Sequence, residues 1–402
     1  MIYIEGSDYM IAIYLSPIYI LLHIYLTRWL LKWLKKIHPI FQKKSIQIII
    51  IGIVIFMASP LGIGTLLPSG YAQSIMYRLG FMWLGTLIFL ALSVILVDFI
   101  RIIIKHKKPQ LLTRKSFIIS GIICLVFSLS MSTYGHIHAR DIQLKPYELT
   151  IQKEVQNIDD LKVVLISDLH LGYNIGYSHI HKMVELINQQ NADIVIIAGD
   201  IFDNNYDAIL EPEKLIKKFQ NIQSTYGTYA CYGNHDIDET ILAGFTFDFD
   251  YKKDQSDIRM DQFLQKAQIH LLHDEGVLID NSFYLYGRAD RQKPGRNIDT
   301  RKTPKQITQN MNKNLPIIVI DHQPGELQEL AQAGVDLDLS GHTHNGQIFP
   351  GNIITSLAWE NSYGMIKKDQ MYNITTSGVG LFGPYMRIGS DAEICSITIH
   401  FK

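Results

Sequence analysis

The run Leu161-Lys162-Val163-Val164-Leu165-Ile166-Ser167-Asp168-Leu169-His170 decides the reading of this chain. Its near-continuous aliphatic stretch is too short for a typical helix and rich in β-branched residues, which marks a strand buried on both faces. It ends in a carboxylate and an imidazole two residues apart. The same design recurs downstream. Ile194–Ala198 runs into Gly199-Asp200-Ile201-Phe202-Asp203, and a strand over 226–232 runs into Gly233-Asn234-His235-Asp236. Ile317–Ile320 is followed by His322, and Leu337–Ser340 by Gly341-His342-Thr343-His344.

Helical periodicity over 178–190 and 211–223 separates the early strands. Further strands are expected at 148–155, 269–273, 276–280 and 282–287, with closing strands at 373–377 and 394–401. The predicted architecture is α/β, two mixed sheets packed together with helices outside. In such sheets the ligand crevice lies beyond the carboxyl ends of the strands, so the five polar loops should converge.

The converging donors are oxygen and nitrogen with no thiolate, which suits Mn²⁺, Fe or Zn²⁺. Two divalent ions about 3.5–4 Å apart need a bridging ligand, and Asp200 is the natural choice. Gly199 lets the backbone approach closely. Asn234 supplies a neutral oxygen where an anionic phosphate must bind.

Together these blocks resemble the calcineurin-like metallophosphoesterase superfamily over about 160–400. Ser340-Gly341-His342-Thr343-His344-Asn345-Gly346-Gln347 and the tail around Arg387 look like its bacterial membrane-associated or exported branch, with Asn345 where a second glycine is usual. The resemblance implies a first ion on Asp168, His170, Asp200 and His344, and a second on Asp200, Asn234, His322 and His342. It implies hydrolysis of phosphoric esters by a metal-bridging hydroxide. His235 would protonate the leaving oxygen, and Asp203 would orient that imidazole. Asp236 reads as a surface acid. Arg288 or Arg291 would contact phosphate or form surface salt bridges. Phe245, Phe247, Phe249 and Tyr251 would form a lid or apolar wall, or simply an edge strand and loop.

The first third of the chain has a different character. Residues 1–134 hold 13 of the 37 Lys and Arg but three of the 38 acids, and the remainder is correspondingly acidic. An acidic soluble part argues against nucleic acid as a partner. Apolar stretches at about 9–33, 46–68, 80–104 and 116–134 each approach the ~20 residues that cross a bilayer, with a kink expected at Pro60 and Gly62. Basic residues crowd the first and third connecting loops, which places those loops in the cytoplasm and everything after 134 outside. Asp98 is expected to pair with Arg101, and His23 to bond a neighbouring helix. Residues 135–147, with His136 and His138, read as a polar connector to a domain at 148–402.

The expected partners are a lipid bilayer and a phosphorylated small molecule or phospholipid. The alternative is a membrane sensor or transport component whose domain binds phosphate without hydrolysing it. Cys124, Cys231 and Cys395 form no framework and read as buried hydrophobes.

Overall fold

The computed structural model describes residues 8–156, 158–239, 241–242, 245–246 and 256–402. Phe247, Phe249 and Tyr251 of the expected lid lie outside them. Ile241–Leu242 (β5) and Phe245–Thr246 (β6) pair antiparallel, so the Phe245 backbone lies in a short hairpin. The chain divides into two compact units, one built chiefly from residues up to Ile137 and the other from His138 onward.

The first unit is helical: α1 Asp8–Ile37, α2 Lys44–Ala58, α3 Pro60–Leu66, α4 Tyr71–Lys107 and α5 Arg114–His138. Among the described residues, α4 and α5 are long and apolar enough to cross a membrane, and a third span results if α2 and α3 count as one. Those two are bent by 49°. The break falls at Ser59-Pro60, where proline lacks the N–H that would continue the helix. Among the described residues, two helices are thus clear spans, and the expected first span over 9–33 falls partly outside the residues whose side chains are described. Asp98 does not need Arg101: Tyr25 Oη (2.9 Å) and Trp29 Nε1 (3.2 Å) donate to its carboxylate. His23 accepts from Trp83 Nε1 at 2.9 Å, tying α1 to α4 as expected.

The second unit holds two six-stranded sheets. In spatial order the first has β1 (Ile142–Ile151), β14 (Ala392–Phe401), β2 (Asp160–Ile166), β3 (Ile194–Ala198), β4 (Thr228–Cys231) and β7 (Ile269–Leu271). The second has β12 (Gly364–Lys368), β13 (Met371–Thr375), β11 (Leu337–Ser340), β10 (Ile317–Ile320), β9 (Phe283–Gly287) and β8 (Glu275–Ile279). Both are mixed. β2, β3 and β4 run parallel in one sheet, as do β9, β10, β11 and β13 in the other.

The predicted connector over 135–147 is not a connector. α5 runs to His138 and β1 begins at Ile142, pairing in parallel with β14 from Ile142↔Ala392 to Ile151↔Phe401. His138 Nε2 lies 2.9 Å from Asp391 Oδ1, so it is held by a carboxylate instead of standing in solvent. The strand was hidden because its side chains alternate half-buried and exposed around Pro146, a weak apolar signal.

Alternation fixes the core. Val163, Leu165, Ile194, Ile196 and Ala198 from one sheet meet Ile318, Ile320, Leu337 and Leu339 from the other. On the outer face, Ile317 and Val319 pack with Leu327 and Leu330 of α10 (Leu327–Ala333). The helix α6 (Tyr177–Asn188) buries Ile180, Met183, Val184 and Ile187, the apolar stripe of an amphipathic helix. Strands buried on both faces are stiff platforms, so loops leaving them are well positioned.

Candidate metal centre

Each polar block begins two or three residues beyond a strand: Asp168 after β2, Asp200 after β3, Asn234 after β4, His322 after β10 and His342 after β11. The chain turns there through the left-handed region. The φ angles are +54° at Asp168, +46° at His170, +49° at Asp200, +72° at His342 and +49° at His344. Non-glycine residues in this region cost on the order of 1–3 kcal/mol each and persist only when the surroundings over-determine them. Here backbone bonds do so, from Asp168 N to Gly199 O (3.0 Å), His170 N to Asp200 O (3.0 Å) and Gly341 N to His322 O (2.9 Å).

The glycines allow the crowding. A Cβ on Gly199 would stand 2.6 Å from His322 Nδ1, and one on Gly341 would stand 1.8 Å from Ser167 Oγ. Two bonds cross between the sheets. His342 N donates to Asp168 Oδ2 (3.0 Å), and His322 Nδ1 donates to Ala198 O (2.8 Å). The second bond fixes the His322 tautomer and aims its Nε2 lone pair inward, as outer partners of metal-binding histidines do.

The donors gather in three groups, Asp168/His170/His344, Asp200/His322/His342 and His170/Asp203/His235, the first and last sharing His170, with the donor atoms in each within 4.8 Å of one another. His170 Nε2 is 3.1 Å from His344 Nε2, and His342 Nδ1 is 3.2 Å from His322 Nε2. Asp200 Oδ2 lies between the first two groups, 3.0 Å from His322 Nε2 and 3.8 Å from His170 Nε2.

The imidazoles divide. Burial pushes His342 down to about 3 and His235 down to about 4, and holds His344 well below its usual value, whereas neighbouring carboxylates raise His170 and His322 against burial. Neutral imidazoles are the form that ligates metal, so a bound cation would take the place of those protons. Burial also raises the Asp168 carboxyl, whereas Asp200 is held well below the usual carboxylate range, against burial, by His322 and His235. Asn234 Oδ1 is buried without a hydrogen-bond partner among the described residues, a costly acceptor unless something positive meets it. Paired imidazole nitrogens, convergent carboxylates and that orphaned oxygen together fit divalent metal.

Several expectations change. His235 Nδ1 donates to Asn204 Oδ1, not to Asp203, whose Oδ1 lies 3.5 Å from His170 Nδ1. Asn204 is fully buried, and its Nδ2 donates to Glu239 Oε2 at 3.0 Å, which fixes the amide orientation. Asp236 is not a surface acid. It is fully buried, accepts from Phe202 N (2.8 Å) and Gly233 N (2.7 Å), and is raised to about 7 by burial and by Asp200. Arg288 is also fully buried and paired with Asp321 (2.7 Å) and Glu326 (2.8 Å), so it braces the loop before His322 and is spent on that network.

Sequence reasoning also missed two aromatic walls. The Phe382 ring stands 4.8 Å from that of His235, and Trp359 stands 5.0 Å edge-on from His342. Phe382 lies far in sequence from His235, and Trp359 sits beyond a separate helix from His342, so no local signal marked them. Arg387 is fully buried and donates to Ser377 O (2.7 Å), Gly378 O (3.0 Å) and Gly380 O (2.8 Å). It thereby shapes the loop that packs on Asp168, where a Cβ on Gly378 would stand 2.6 Å from the Asp168 Cβ.

Fold and donor set define a metal-binding hydrolase domain. Residues 161–346 match the calcineurin-like phosphoesterase family, and the chain carries the domain of that family, a hydrolase of phosphoric esters. An uncharacterized metallophosphoesterase of Campylobacter jejuni is 28% identical over 316 residues, 76% of each chain. A transmembrane protein with metallophosphoesterase domain from Danio rerio is 26% identical, over 69% of this chain and 62% of that one. An uncharacterized metallophosphoesterase of Helicobacter pylori is 28% identical over 60% of each chain. The matched region is thus less than two thirds of the Danio and Helicobacter relatives.

Proposed function

We propose that this chain is a membrane-anchored, metal-dependent phosphoesterase that hydrolyses phosphomonoesters or phosphodiesters of lipid or envelope origin. The orphaned, buried Asn234 Oδ1, together with the Asp168/His170/His344 and Asp200/His322/His342 groups, between which Asp200 Oδ2 lies, carries the reading. Asp168, His170, Asp200 and His344 would hold one divalent ion, and Asp200, Asn234, His322 and His342 a second. Mn, Fe and Zn all suit this donor set. Such ions supply an activated water near neutral pH and offset charge on the phosphoryl oxygens.

The protein side of the chemistry rests on His235. Its Nδ1–H is committed to Asn204, so Nε2 is the atom that hands a proton to the leaving oxygen. Burial alone disfavours the imidazolium form, and an anionic phosphate in the site restores it. The Phe382 ring packs against that imidazole at 4.8 Å.

We further propose four membrane passages, over the stretches 9–33, 46–68, 80–104 and 116–134, in a cell membrane, with the catalytic domain outside. The basic first and third loops support this orientation. Metal analysis of the purified full chain, with hydrolysis of bis(p-nitrophenyl) phosphate, tests the enzymatic reading. Metal-free protein and absent turnover after metal loading would overturn it. A reporter fused after Lys402 tests the orientation, and a cytoplasmic signal would reverse it.

A further inference from the structure

The helix α11 (Gly351–Ala358) is apolar, short and uncovered. None of its residues is buried, and Ile353, Ile354 and Leu357 are 50, 65 and 85% exposed, with Phe349 just before it at 51%. At 100° per residue, Ile353, Ile354 and Leu357 fall within about 100° of arc, so they form one stripe. No charged residue occurs from Ile348 to Trp359. A cluster of this kind on a soluble domain marks a surface that meets something apolar.

Both ends of the helix abut the metal-binding turn. A Cβ on Gly351 would stand 2.3 Å from Gly346 O, so the helix start presses on the His344–Gly346 turn. Trp359 at the other end meets the His342 ring. Whatever covers α11 therefore lies beside the metal centre.

We propose that α11 docks on a lipid bilayer, with Phe349, Ile353, Ile354 and Leu357 entering its apolar boundary. Three observations select a bilayer over a protein. The stripe offers on the order of a few hundred Å², below the ~800 Å² that each partner of a stable dimer buries. A stripe free of charge from Ile348 to Trp359 can enter an apolar boundary without desolvating an ion. The second unit is also tied to any bilayer that α5 crosses, since only Ala139, Arg140 and Asp141 separate α5 from β1, about 10 Å of chain at most. The docked helix would present the metal centre to phosphate at the membrane surface, a consequence that rests on the proposed phosphoesterase activity.

The test uses the full chain in phospholipid vesicles. The native cysteines are buried, so single Ile353→Cys, Leu357→Cys and, as control, Lys217→Cys variants can carry an environment-sensitive fluorophore. Shallow spin-labelled lipids should quench the 353 and 357 labels strongly and the 217 label little. Quenching of the 357 label by aqueous iodide alone would overturn the proposal. So would self-quenching relieved by unlabelled protein, because a second copy would then cover the helix. This readout needs no turnover, so it stands or falls apart from the enzymatic reading. With an active enzyme, the Ile353→Ser/Leu357→Ser variant should lose about tenfold or more toward a vesicle-embedded phospholipid and keep its rate on bis(p-nitrophenyl) phosphate. Equal loss on both would make α11 a support of the site and overturn docking.

Discussion

The Nδ1 atom of His235 donates to Oδ1 of Asn204, and Asn204 in turn is held by Glu239, which pairs with Lys293. The neighbouring Asp203 faces His170 instead. Two adjacent polar residues thus serve two different imidazoles.

That division separates their mutants. Asn204→Ala should lower kcat about 10–100-fold with KM and metal content nearly unchanged, because only the orientation of the proton donor is lost. Asp203→Ala should lower metal affinity by about tenfold or more, because it frees His170. Steady-state kinetics alongside metal titration distinguishes them. A kcat loss confined to Asp203→Ala would show that Asp203 orients His235.

Removing the shared carboxylate should be the most damaging single change at the centre. Asp200→Ala is expected to cost both metal groups and to lower kcat/KM by about 10³-fold or more. Chelation of the native protein should match that loss, and re-addition of Mn²⁺, Fe²⁺ or Zn²⁺ should reverse it only in the native chain. Wild-type metal content in Asp200→Ala would contradict a shared ligand.

Gly341→Ala tests the crowding. The new Cβ would sit 1.8 Å from Ser167 Oγ and 2.4 Å from Asp168 Oδ2, inside two strand ends that have little room to move. Overpacking of this kind costs about 1–3 kcal/mol, and the displaced Asp168 should weaken metal binding. Thermal melting and metal titration would register both. Unchanged values would mean that the turn is softer than its contacts imply.

His179 on α6 sets a pH dependence. Its Nε2 donates to Val379 O at 2.9 Å, and burial pushes its pKa down to about 4 from 6.5. As pH falls below 6.5 the unfolded chain takes up a proton that the folded chain refuses. Stability is therefore present above 6.5 and is lost progressively toward pH 4, by up to about 3 kcal/mol. His179→Gln, which can keep the bond to Val379 O, should flatten that slope. Parallel curves for the two proteins in thermal melts from pH 7.5 to 4.5 would refute the assignment.

The parts legible in advance share a cause. β3, β10 and the second half of β2 are buried on both faces, so their apolar runs are unbroken, and the polar residue that follows each run is conspicuous. β1 was misread because Lys145 and Pro146 dilute its pattern, and its partner lies some 250 residues away. α11 left no strand or core signature, since its apolar residues face outward.

The sequence by itself determined which side chains follow the central strands, namely Asp168, His170, Asp200, Asn234, His322, His342 and His344. Composition and period act locally, so a single chain displays them. The tertiary structure alone decided that Asn204 rather than Asp203 meets His235, that Asp236 and Arg288 are buried, and that Trp359 and Phe382 wall the centre. Those outcomes depend on which way a side chain leaves a strained turn and on what another sheet brings against it, and neither is written in the spacing of residues.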